Sequence, residues 1–214
     1  MGLYWKPVYC YLRHKGYDNE TAKDLTQSFF DDVVLRRHLI EQADPRRGRF
    51  RTFLLTALNR YVSNVHRDAV AKKRMPKSRL LSLDVSGLPD IPDAGRHTAP
   101  AAAFHYTWIS ELLDRVLANV EQECRADGLG VHWEVFKARV VQPVLGGADP
   151  PSLSELCARH GIEKPTTAAN MMVTIKRRLR RTLEICVRES VGGDVDVEQE
   201  IRDLQVFLSE ERTS

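Results

Sequence analysis

The chain has 214 residues, of which 43% are hydrophobic, and a formal net charge of +3. That length suits one or two compact domains, and that apolar content excludes a disordered protein. No apolar run reaches the roughly 18–20 residues of a membrane span. The opening Met1-Gly2-Leu3-Tyr4-Trp5-Lys6-Pro7 lacks the basic start, apolar stretch and small-residue site of a secretion signal, so a cytoplasmic location without membrane attachment is expected.

The elements in chain order are all helical. Tyr4 to Lys15 can form a first helix with Pro7 in its opening turn. Asp18 is an N-cap for a second, which carries Leu25, Phe29, Val33 and Leu35 as its apolar positions. Asp44-Pro45 and Gly48 break the chain, and a third helix runs from about Arg49 to Arg74. Its Phe50, Phe53, Leu54, Ala57, Leu58, Tyr61, Val62, Val65 and Ala69 step by threes and fours into one buried stripe. Residues 76–103 contain Pro76, Gly87, Pro89, Pro92, Gly95 and Pro100 without helical periodicity and read as a linker.

Beyond the linker, Phe104, Trp108, Ile109, Leu112, Leu113, Val116, Leu117 and Val120 mark an amphipathic helix. Trp133, Phe136 and Val140 mark another, ended by Pro143 and Gly146-Gly147. Ser152-Leu153-Ser154-Glu155 is a capping box that opens a short helix, His160-Gly161-Ile162 makes a turn, and Pro165 opens a last long helix to about Val191. No strand pattern and no internal repeat is visible. The expected fold is therefore all-α: two small helical domains, residues 1–75 and 104–191, joined by a flexible linker. The second contains a helix-turn-helix, and an acidic extension, 192–214, follows it.

Charge is unevenly spread. Residues 45–79 hold eleven Lys/Arg against one acid, and residues 136–191 hold ten against five. Between them, residues 80–135 hold three basic and nine acidic residues, and 192–214 hold two and seven. Two basic blocks separated by an acidic one point to two anion-facing surfaces.

Helical wheels divide each block. In the last helix Met172, Ile175, Leu179 and Leu183 face the core, whereas Thr167, Asn170, Thr174, Arg177, Arg178 and Arg181 share the polar side. Short hydrogen-bonding side chains near the start and cations further on suit a helix lying in a major groove: the former reach base edges and the latter hold phosphates. Lys176 and Arg180 flank the core arc. On the third helix Thr52, Thr56, Asn59, Arg60, Ser63, His66 and Arg67 oppose the stripe, and Lys72, Lys73 and Arg74 extend them. A nucleic acid could lie along this face, which otherwise is a solvated surface.

Chemistry is poorly represented. Cys10, Cys124, Cys157 and Cys186 are scattered with no CxxC pair, so packed reduced thiols are expected. Asp24 and Asp31 share a helix face and could be imagined on a metal, as in a nuclease. No phosphate loop, ligand set or nucleophile–base pair accompanies them. No catalytic activity, cofactor or metal is expected.

Taken together these residues resemble the extracytoplasmic-function (ECF) group of the bacterial sigma-70 family. "WKPVYCYLRHKGYDNETAKDLTQSFF" (Trp5–Phe30) is similar to the group's region 2.1–2.2, and "RGRFRTFLLTALNRYVSNVHRDAVAKKR" (Arg47–Arg74) to regions 2.3–2.4. "LSLD" (Leu81–Asp84) resembles a common linker start, and residues 104–191 resemble the four-helix region 4. The resemblance implies an alternative sigma factor that binds core RNA polymerase and directs promoter recognition and transcription initiation. Asp24, Leu25, Gln27 and Asp31 would then lie in the helix that docks on the β′ clamp helices. Thr56, Asn59, Arg60, Ser63, His66, Arg67, Lys72, Lys73 and Arg74 would meet the −10 element of promoter DNA. Thr167, Asn170, Thr174, Arg177, Arg178 and Arg181 would meet the −35 element. An anti-sigma factor is a further partner the resemblance allows. A stand-alone helix-turn-helix regulator is the alternative reading.

Overall fold

A computed structural model of the chain describes residues 2–35, 50–72, 99–147 and 149–191. Among these residues the secondary structure is helical, with no strand, as the periodicity requires. The helices are α1 (Gly2–His14), α2 (Asn19–Phe29), α3 (Phe50–Lys72), α4 (Pro100–Ala126), α5 (Gly130–Phe136), α6 (Gln142–Gly146), α7 (Leu153–His160) and α8 (Pro165–Val191). No helix is long and apolar enough to cross a membrane among the described residues. Of the expected linker, 76–103, residues 76–98 lie outside the described residues, as does the acidic extension, whereas Pro100–Ala103 are helical and form the start of α4.

Contacts divide the chain into two units. The first takes the described residues up to Ser110 with Arg188–Val191, and the second runs from Glu111 to Val187. Helix α4 thus gives its residues up to Ser110 to the first unit and the remainder to the second.

In the first unit α1 is the innermost element. Val8, Tyr9, Cys10, Tyr11 and Leu12 are buried in succession, and five consecutive positions cover the whole helix circumference. The helix starts at Gly2, so Pro7 sits within it rather than in its first turn. Asp18 caps α2 as expected, its carboxylate accepting the Thr21 N–H at 2.8 Å. Those hydrogen bonds, from the Thr21 backbone first and its hydroxyl second, hold the Asp18 carboxyl below its ordinary range. Helix α2 buries Ala22, Thr26 and Phe29, then widens into a π-turn over Phe30–Leu35. Phe29 meets Tyr61 of α3 with ring centroids 5.5 Å apart. Burial there pushes the Tyr61 phenol up, the nearby Asp32 charge acting in the same sense.

One cluster in this unit was not legible in the sequence. Trp108 is fully buried, Tyr4 lies against it at 6.4 Å, and the guanidinium of Arg51 sits 4.9 Å from the Trp108 ring centroid. Phe50 meets the edge of Tyr4 at 5.4 Å. A buried arginine on an indole face gains cation–π attraction, so Arg51 belongs to the core although it lies in the basic block.

The second unit has two apolar clusters. Val120, Cys124, Trp133, Phe136 and Ile175 form one, and Val135, Leu156, Cys157 and Ala168 form the other. The helical run from Gly130 does not stop at Pro143. A π-turn over Lys137–Val141 precedes the proline, Gln142 N–H donating to Lys137 O, and the chain stays helical to Gly146. The wider turn accommodates a ring that cannot donate. Gly147, at φ 65°, then ends the run. The Cys124 thiol is pushed up, chiefly by burial, and all four cysteines are buried thiols outside any disulfide.

Candidate nucleic-acid interface

Helix α7 starts at the capping box read from the sequence. The Glu155 N–H donates to Ser152 Oγ at 3.2 Å, and the Ser152 N–H donates to Glu155 Oε2 at 2.7 Å. These hydrogen bonds, first from the Ser152 backbone and then from its hydroxyl, hold the Glu155 carboxyl below its ordinary range. Gly161 closes the helix at φ 64°, a left-handed conformation in which glycine carries no Cβ penalty. The Ile162 N–H returns to Cys157 O at 2.9 Å, and α8 begins three residues later.

Helix α8 buries Ala168, Ile175, Thr182, Cys186 and Val187. Thr167, Asn170, Thr174, Arg177 and Arg181 are exposed. At 100° per residue, and with Arg178 added, they fall within an arc of about 100°. The Thr174 hydroxyl donates to Asn170 O at 3.1 Å, so its oxygen lone pairs face outward.

Arg178 stands apart from its neighbours. Its Nη1 is 2.7 Å from Asp127 Oδ2 and 3.5 Å from Glu123 Oε2, both on or just beyond the C-terminal turn of α4. The side chain is 22% exposed, and the hydrogen bond to Asp127 raises the pKa of the guanidinium. Arg180 pairs with Glu184 at 3.1 Å along α8. The outward cations of this face are therefore Arg177 and Arg181.

Helix α3 buries Leu54, Leu58 and Val62 and half-buries Phe53, Ala57, Tyr61 and Val65, so the expected stripe faces inward. Thr52, Thr56, Asn59, Arg60, Ser63, His66 and Arg67 are all exposed. The Thr56 and Ser63 hydroxyls donate to Thr52 O and Asn59 O, each at 2.9 Å. Arg67 donates to Asn64 Oδ1, and Asn59 Oδ1 accepts from the Tyr11 hydroxyl of α1. Lys73 and Arg74 lie outside the described residues, as does the side chain of Lys72.

On α2, Asp24 and Gln27 are exposed and Leu25 is half-buried, as is Asp31 in the π-turn that follows. The Gln27 amide donates to both carboxylate oxygens of Asp31 at 3.2 Å. Among the described residues no three His, Cys, Asp or Glu side chains converge as a metal site would require.

Each basic face combines cations with hydroxyl and amide groups above a buried stripe. Cations can neutralise phosphates, and hydroxyl and amide groups can hydrogen-bond to bases or sugars. No family model matches the chain, and no curated protein or solved structure shows significant similarity to it.

Proposed function

We propose that the chain is an alternative sigma factor of the ECF group, a promoter-specificity subunit acting with core RNA polymerase rather than an enzyme. In this reading residues 1–75 are region 2 and residues 104–191 are region 4, with a linker between them. Helices α7 and α8 act as the helix-turn-helix. The α3 face meets the −10 DNA and the α8 face the −35 DNA, while Asp24, Leu25, Gln27 and Asp31 dock on the β′ clamp helices. Binding and initiation take place in the cytoplasm, and an anti-sigma factor is the class of regulator that fits. The polymerase makes the bonds; this chain needs no cofactor.

The observation that carries the reading is the exposure of both polar-basic faces. Seven α3 residues from Thr52 to Arg67 and five on α8 from Thr167 to Arg181 are open to solvent above buried stripes. A single basic helix would fit many DNA-binding proteins. Two, on separate stretches of one chain, fit a protein that grips two DNA elements.

The test is co-elution of the purified chain with bacterial core RNA polymerase, followed by run-off transcription on genomic fragments. Co-elution and new start sites that depend on the chain are expected. An absence of both overturns the proposal. Tight, specific DNA binding by the chain alone as a dimer would instead identify a stand-alone helix-turn-helix regulator.

A further inference from the structure

Asn59 lies in the middle of the exposed α3 face, yet its amide is held from within the fold. Nδ2 donates to Leu55 O at 3.2 Å, and Oδ1 accepts from the Tyr11 hydroxyl. A backbone carbonyl can only accept, so the amide nitrogen is the atom that faces Leu55, and the oxygen is left to face the phenol. Tyr11 belongs to the innermost helix and is 1% exposed, so its ring is fixed by packing on every side. Its hydroxyl is the point where the buried α1 reaches the outer face of α3.

The consequence for Asn59 is directional. Nδ2 carries two protons, and the bond to Leu55 O uses one of them. The second remains for an acceptor outside the helix. Thr56 and Ser63, on either side of Asn59, have already given their hydroxyl protons to backbone carbonyls and present lone pairs. Arg60 and Arg67 supply charge nearby, which suits phosphate, whereas a neutral amide suits a base edge. An amide oriented in advance loses little rotamer freedom on binding.

We propose that Tyr11 is a positioning residue for Asn59, directing the remaining Nδ2 proton at a hydrogen-bond acceptor on a base edge of the bound nucleic acid. This rests on the promoter-binding reading above. Asn59 makes the contact and Tyr11 acts only through it.

The experiment is a double-mutant cycle on the full chain assembled with core RNA polymerase. Wild type, Tyr11→Phe, Asn59→Ala and the double variant bind a DNA selected by the wild-type complex from a randomised library, and single-base variants of it. Tyr11→Phe keeps the packed ring and removes one hydroxyl. It is expected to weaken binding by about three- to tenfold, the worth of one neutral hydrogen bond. It should also flatten discrimination at one base position, the same position that Asn59→Ala flattens. In the Asn59→Ala background Tyr11→Phe should change nothing further. Any general loss of stability would appear equally in both backgrounds, and equal effects there overturn the inference. So does a loss that is uniform across all base variants. If the wild-type complex selects no sequence at all, the promoter-binding reading itself fails and the inference falls with it.

Discussion

Arg178 shows how far one side chain can depart from its neighbours in a run of charge. Lys176, Arg177, Arg178, Arg180 and Arg181 follow one another closely, and a wheel places Arg178 beside Arg177 on the polar arc. Carboxylates more than fifty positions earlier in the chain engage it instead. The pair is partly exposed and adds little stability, but it occupies the guanidinium. Salt dependence separates the two roles, because each phosphate contact adds about 0.9 to the slope of log affinity against log salt. Arg177→Ala and Arg181→Ala are each expected to lower that slope by about one, and Arg178→Ala to leave it unchanged. A slope change with Arg178→Ala equal to the others would show that the ion pair opens on DNA. The polar arc was legible because periodicity fixes which residues share a face. The loss of one member to Asp127 was not, because nothing local marks a tertiary partner.

At the scale of the element, the α7–α8 connection depends on two small features. Gly161 stands at φ 64° with no atom near where a Cβ would lie, so Gly161→Ala meets no clash but does meet the left-handed backbone penalty. A loss of about 1–2 kcal/mol in urea unfolding is expected. Ser152→Ala should cost about 1 kcal/mol by removing the cap. Glu155 adds a pH dependence. Its carboxyl titrates lower in the folded chain, so its contribution is complete above its unfolded pKa and is lost as pH falls through the lower folded value. The cap should therefore weaken below about pH 4, and Glu155→Gln should remove that acid sensitivity. Asp18 obeys the same sign at α2. These caps were readable because they are local, needing only Ser or Asp at one position and a partner three residues on. The π-turn before Pro143 was not, because the proline that would end an isolated helix is accommodated by a change of hydrogen-bond register.

At the scale of the whole molecule, burial among the described residues mostly follows the apolar pattern, and two departures from it stand out. Helix α1 is enclosed on all sides, although its sequence carries Tyr9, Cys10 and Tyr11 in a row rather than a one-sided stripe. Arg51 is 7% exposed against Trp108 although it sits amid cations. Both outcomes depend on pairing residues far apart in the chain, which composition and period do not encode. The importance of that cluster is testable. Trp108→Ala should cost about 3–5 kcal/mol in equilibrium unfolding of the first unit, and Trp108→Phe clearly less. Equal small effects from both would show that the Arg51–Trp108–Tyr4 stack contributes little.

The placement of the indoles also gives the molecule an optical property. Trp108 is enclosed in the first unit and Trp133 in the second, while Trp5 belongs to the first. With Trp133→Phe, tryptophan emission, excited beyond the absorption band of tyrosine, comes from the first unit alone. With Trp5→Phe and Trp108→Phe together, it comes from the second alone. The chain thus carries its own fluorophore in each half, and the order in which the halves come apart can be followed without attaching a dye.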